Sequence, residues 1–150
     1  MEKYFSDVKI EDGTLIFNYK DEFKFHEEEF SFCLHNIDRI RFSKGKIEIN
    51  QAINNIWKEF TSSNEDAEEI KNVLRKISNF VECGNSVFNI DNIISFCKGK
   101  EDNEIDIECY ACTYMVYLKN KEQANALINA IQNKWQTMID KWNKTEELRV

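Results

Sequence analysis

The stretch Asn36-Ile37-Asp38-Arg39-Ile40-Arg41-Phe42-Ser43-Lys44-Gly45-Lys46 returns, with one residue inserted, as Asn89-Ile90-Asp91-Asn92-Ile93-Ile94-Ser95-Phe96-Cys97-Lys98-Gly99-Lys100. Both copies set an isoleucine and a phenylalanine between an Asn-Ile-Asp start and a Lys-Gly-Lys turn. Each is followed by a β-like run, Asn55-Ile56-Trp57-Lys58-Glu59-Phe60 in one half and Thr113-Tyr114-Met115-Val116-Tyr117-Leu118 in the other. Each half then ends in a helical pattern. Self-similarity of this order predicts a duplicated strand-rich unit closed by a helix. The two units are residues 1–80 and 81–150, free to pack as one domain.

Working outward, the helices carry the firmest signals. Ser63 caps the first, with Asp66 at the answering position of a capping box. Its apolar residues Ala67, Ile70, Val73, Leu74 and Ile77 follow the i, i+3, i+4, i+7 template. Asn120 caps the second, with Gln123 answering. Its stripe of Ala124, Leu127, Ile128, Ile131, Trp135, Met138, Ile139 and Trp142 runs about two turns longer than that of the first. Strands are read from alternation. Val8-Lys9-Ile10 and Leu15-Ile16-Phe17 flank Asp12-Gly13, a dipeptide suited to a tight hairpin. Phe23-Lys24-Phe25 and Phe30-Ser31-Phe32 alternate across Glu27-Glu28-Glu29. Arg39 to Phe42 and Lys46 to Ile49 alternate around Lys44-Gly45. Alternation of this kind implies antiparallel sheet with one wet face.

The fold class is therefore α+β, antiparallel sheets with two helices. About seven short strands before the first helix give residues 1–80 an element order that resembles the pleckstrin-homology-like architecture. Residues 81–150, with three or four strands and a longer helix, read as a reduced copy. The resemblance covers element order alone and assigns no residue a role.

The chain has 150 residues, 20 basic and 27 acidic, for a net charge of −7. That is one ordinary domain's length, enough to bury a core without disulfide or metal. Apolar and aromatic content excludes disorder. The acidic balance argues against a nucleic-acid backbone as the direct partner. No apolar stretch has the length of a signal core or a membrane span. The five cysteines, an odd number without a secretion signal, read as reduced thiols of a cytoplasmic protein. With no proline, four glycines and abundant Asn, Ile and Lys, the usage is that of AT-rich codons, as in a low-GC bacterium or its phage.

No catalytic constellation is expected. Cys109-Tyr110-Ala111-Cys112 has the spacing of a redox pair or half a zinc site. It lies, however, in the β-like run from Ile105 to Leu118, where residues three apart point to opposite faces. Cys83 and Cys97 add no ligand pair, so no metal and no cofactor is expected. His26 and His35 lack metal spacing, and nothing orients a Cys33–His35 dyad. Helix-opening glycines that would hold a nucleotide are missing.

Three groups point outward. Asp21 and Glu22 with Glu27, Glu28 and Glu29 form an acidic face suited to a basic protein partner. Trp135, Met138, Ile139 and Trp142 offer an apolar partner or homodimer surface. Arg39, Arg41, Lys44 and Lys46 concentrate positive charge and could grip an anion. The expectation these support is a non-enzymatic, cytoplasmic binding protein that occludes a protein partner, as toxin-immunity proteins and phage inhibitors of host defence do. The alternative is a pleckstrin-homology-like module holding an anionic small ligand or lipid head group on the basic strand pair.

Overall fold

The computed structural model describes residues 3–23 and 26–147. The chain is α+β, with eleven strands in three antiparallel sheets and two helices among those residues. Strands β1 (Phe5–Glu11), β2 (Thr14–Tyr19) and β3 (Glu28–Cys33) form the first sheet in that order. Asp12 and Gly13 close the β1–β2 hairpin at φ 51° and 71°, the left-handed angles such a turn needs. Strands β4 (Ile37–Ser43), β5 (Lys46–Gln51) and β6 (Trp57–Thr61) lead to helix α1 (Asn64–Leu74). Then follow β7 (Phe80–Cys83), β8 (Ser86–Asn89), β9 (Ile93–Lys98), β10 (Glu104–Cys109), β11 (Thr113–Tyr117) and α2 (Lys121–Glu147).

The central sheet runs β6-β5-β4-β8-β7, and the third runs β11-β10-β9. Because β4 pairs with β8, strands from both halves of the chain share one sheet. Ile40, Phe42, Ile47, Ile49, Phe60, Phe80 and Val87 cover one face of the central sheet. There they meet the first sheet and α1 in a core that includes Phe5, Leu15, Phe17, Tyr19, Ile70 and Leu74. On the other face, Cys83 and Phe88 join Ile105, Ile107, Tyr114, Val116, Leu127 and Ile131 in a second core. The sheet is thus covered on one side throughout and on the other over β7, β8 and the Arg39–Asn50 end of β4 and β5.

The helix caps are those read from the sequence. Asp66 N–H donates to Ser63 Oγ at 3.1 Å and Ser63 N–H to Asp66 Oδ2 at 2.9 Å. Gln123 N–H donates to Asn120 Oδ1 at 2.9 Å. Three strand readings change. Phe23 lies in a turn and Lys24 and Phe25 lie outside the described residues, while β3 pairs with β2. Six strands, where about seven were expected, precede α1 among the described residues. Within the repeat, 3-10 turns at Leu34–Asn36 and Ile90–Asn92 open β4 and β9 in the same way. Ile37 N–H donates to the Leu34 carbonyl and Ile93 N–H to that of Ile90. The partner of Asn36 is therefore Asn92, and the Asn-Ile-Asp match is displaced by three residues.

Candidate functional site

The uncovered half of the central sheet is a surface built by register. Directly opposed residues on antiparallel strands share a face. Arg39, Asn50 and Trp57 form one row across β4, β5 and β6, and Arg41, Glu48 and Glu59 the next. Ser43, Lys46 and Thr61 form the third. Buried Ile40, Phe42, Ile47, Ile49 and Phe60 take the alternate positions, which is what turns these residues outward. Arg39, Arg41, Lys44 and Lys46 face Glu48 and Glu59, a local surplus of two positive charges on a chain whose total is −7. Lys46 pairs with Glu59 at 3.5 Å, and Arg39 with Glu48 at 3.7 Å. Arg41 and Lys44 are exposed and make no ion pair among the described residues. Trp57 is 56% exposed, and Ile53 and Ile56 beside it are exposed too.

Arg39 marks the border with the second core. Its Nε donates to Asn50 Oδ1 at 3.0 Å, and its guanidinium lies 4.5 Å from the centre of the Tyr114 ring. Burial draws Arg39 below the ordinary arginine value, with Glu48 opposing the shift. The neighbouring Asp38 is fully buried. It accepts from Asn92 Nδ2 at 3.1 Å and from the Tyr114 hydroxyl at 3.2 Å, so one carboxylate ties the first half of the chain to the second. Burial raises Asp38 above the usual carboxylate range, outweighing those two hydrogen bonds.

A raised acid binds its proton more tightly in the folded than in the unfolded chain. Its contribution to stability is therefore full at low pH and falls as pH rises from the unfolded value to the folded one. Asp38→Asn keeps an acceptor for Asn92 and a donor for the Tyr114 oxygen, and it does not titrate. As pH rises above about 4, the ordinary aspartate value, the variant is expected to gain stability relative to the wild type until the folded carboxyl has ionised. Urea unfolding across that range is the check, and a constant difference would remove Asp38 as the titrating group.

The other sequence candidates are scattered, except that Asp21, Glu22 and Glu27 line one concavity together with Lys3 and Lys20. Asp21 and Glu22 lie in the segment after β2, and the Asp21 carboxylate accepts from Phe23 N–H at 2.9 Å. Glu27 precedes β3, while Glu28 and Glu29 lie within it opposite Tyr19 and Asn18. Strand alternation puts those last two on opposite faces, so the five carboxylates do not make one acidic face. Trp135 stacks on Phe96 at 5.8 Å, whereas Met138, Ile139 and Trp142 are exposed on the part of α2 that extends past the core. Cys109 and Cys112 are not in one unbroken strand: β10 ends at Cys109, and β11 begins after Cys112. Among the described residues no group of three or more His, Cys, Asp or Glu is placed to hold a metal ion. Among the same residues no helix is long and apolar enough to cross a membrane. Trp57 escaped the sequence reading as a surface residue. Its signal was parity, because it lies three positions from buried Phe60 on a strand.

No family model and no curated protein matches the chain. Among solved structures, the chain is similar to the LytTr DNA-binding domain of a putative methyl-accepting/DNA response regulator from Bacillus cereus, at 11% identity and a TM-score of 0.49. The match covers 87% of this chain and 98% of that one. The expectation of a protein-occluding inhibitor, with its immunity and anti-defence associations, does not agree with that description and is withdrawn. The exclusion of nucleic acid is withdrawn with it. Its physical fault is plain: net charge is a sum over the chain and does not locate the charges, whereas a partner meets one face.

Proposed function

We propose that the chain binds nucleic acid through the open face of β4, β5 and β6. The observation that carries this reading is the positive surplus of that face, with Arg41 and Lys44 free of ion pairs among the described residues and Trp57 exposed on the β6 edge of the same face. Cations on a strand pair can contact successive phosphates, while an exposed indole offers a stacking surface for an unpaired base. DNA binding is stated of the LytTr domain and of that domain alone. For this chain the reading rests on its own residues.

The test is fluorescence anisotropy with a labelled duplex and a labelled single strand at two salt concentrations. With about three phosphates neutralised, a fourfold rise in salt is expected to weaken binding roughly 40-fold. Arg41→Ala with Lys44→Ala is expected to lower the salt slope by about two. Trp57→Ala is expected to weaken the single strand selectively, since only its bases are free to stack. Absence of saturable binding at low salt would overturn the reading. So would a double variant that binds with unchanged affinity and slope.

A further inference from the structure

The β10–β11 hairpin places two thiols across from each other. Cys109 N–H donates to the Cys112 carbonyl at 2.9 Å, and Glu108 pairs with Thr113 immediately beyond. Cys109, the last residue of β10, and Cys112, the residue before β11, therefore face each other across the two-residue loop Tyr110–Ala111. Their side chains share a face, and both pack against the second core. Opposed residues joined by a backbone hydrogen bond lie about 5.5 Å apart at Cα, within the span a disulfide bridges.

We propose that Cys109 and Cys112 form a reversible intramolecular disulfide, closed by a low-molecular-weight disulfide such as oxidised glutathione. Cys112 is half-buried and Cys109 is buried, which sets the order of events. The Cys112 thiolate attacks one sulfur of the oxidant. A Cys112–glutathione bond forms, the oxidant's own bond breaks, and the first glutathione leaves and takes a proton. Cys109 then loses its proton to solvent and attacks the Cys112 sulfur, releasing the second glutathione. The two thiols are oxidised to one disulfide, and one oxidised glutathione is reduced to two glutathiones. Burial pushes the Cys109 thiol up to about 12, which makes it the slower, second nucleophile.

The remaining thiols provide internal controls. Cys33 and Cys97 are exposed but lie on different sheets from each other, and Cys83 is buried, donating to the Gln123 carbonyl. After the folded, full-length chain is treated with oxidised glutathione, mass mapping follows the tryptic peptide of residues 101–119, which contains both cysteines and no internal cleavage site. That peptide is expected to become lighter by two hydrogens and to recover its mass with dithiothreitol. In a variant carrying Cys33→Ser and Cys97→Ser, titratable thiols should fall from three to one. Cys109→Ser is expected to stop with glutathione attached to Cys112. The proposal is overturned if the wild-type peptide keeps both thiols, or retains glutathione without closing, while the fold is intact by circular dichroism. This test requires no nucleic acid and is independent of the binding reading above.

Discussion

Asp66→Ala is expected to lower the unfolding free energy by about 4 kcal/mol, a large share of the ~5–15 kcal/mol that holds a typical domain folded. The side chain is fully buried and acts at two places at once. Its Oδ2 accepts from Ser63 N–H at 2.9 Å, closing the capping box of α1, and from Tyr4 N–H at 3.0 Å. Its Oδ1 accepts from Phe5 N–H at 3.3 Å, where β1 begins. Hydrogen bonds to a charged group are each worth ~1.5–3 kcal/mol, and a buried donor left unpaired costs a similar amount. Alanine removes the acceptors of three backbone donors and loosens both the start of α1 and the first strand of the first sheet. Asp66→Asn retains one carbonyl oxygen and is expected to fall between alanine and the wild type. Urea unfolding gives the free energies, and hydrogen exchange at Tyr4 and Phe5 tests the strand contact. A loss under ~1 kcal/mol for alanine would reduce Asp66 to an ordinary cap.

Half of this role was legible in the sequence. Ser63 and Asp66 announce a capping box because the motif depends on a spacing of three residues and little else. The reach from Asp66 to Tyr4 crosses more than sixty positions, and no local pattern encodes it. The same division holds elsewhere. Asp12-Gly13 identified its hairpin because the turn needs left-handed backbone angles that few residues accept. The turn at Tyr110–Ala111 was hidden because neither residue belongs to the usual turn set, and β-forming neighbours on both sides read as one continuous strand. Alternation along one continuous strand places Cys109 and Cys112 on opposite faces, whereas the hairpin puts them on one.

The candidate face was legible only in pieces. Arg39, Arg41, Lys44 and Lys46 stand together in the sequence and remain together in space, since all belong to one hairpin. Their partition is tertiary. Asn50, Glu48 and the Tyr114 ring occupy Arg39 and leave Arg41 free, and Tyr114 arrives from 75 positions away. The pairing of β5 with β6 brings Trp57 onto the same face. Glu27, Glu28 and Glu29 fail for the opposite reason. Adjacency in sequence suggested one acidic surface, and a strand divides adjacent residues between two faces.

Phe60→Ala carries the other large expected effect, because a single ring joins two sheets. Phe60 lies on β6, an edge of the central sheet, and is buried. Its ring centre is 5.7 Å from Phe5, 5.3 Å from Phe17, 5.0 Å from Tyr19, 5.0 Å from Phe30 and 6.2 Å from Phe32, all on the first sheet. All five contacts are edge-to-face, with interplanar angles between 64° and 87°, a geometry that favours ring edges against ring faces. Truncating a buried phenylalanine to alanine costs about 3–5 kcal/mol, and the edge-to-face contacts place this position toward the upper end. For a chain of this length, that corresponds to a fall in Tm of roughly 10 °C. Phe60→Leu retains most of the apolar volume and loses the ring geometry, so a smaller loss is expected. The Tyr19 hydroxyl accepts from Thr61 N–H at 3.0 Å, which anchors the same edge independently of the ring cluster. Tyr19→Phe therefore separates loss of that anchor from loss of packing. Calorimetry on the three variants decides the order, and a leucine variant as unstable as alanine would show that ring orientation outweighs buried volume at this contact.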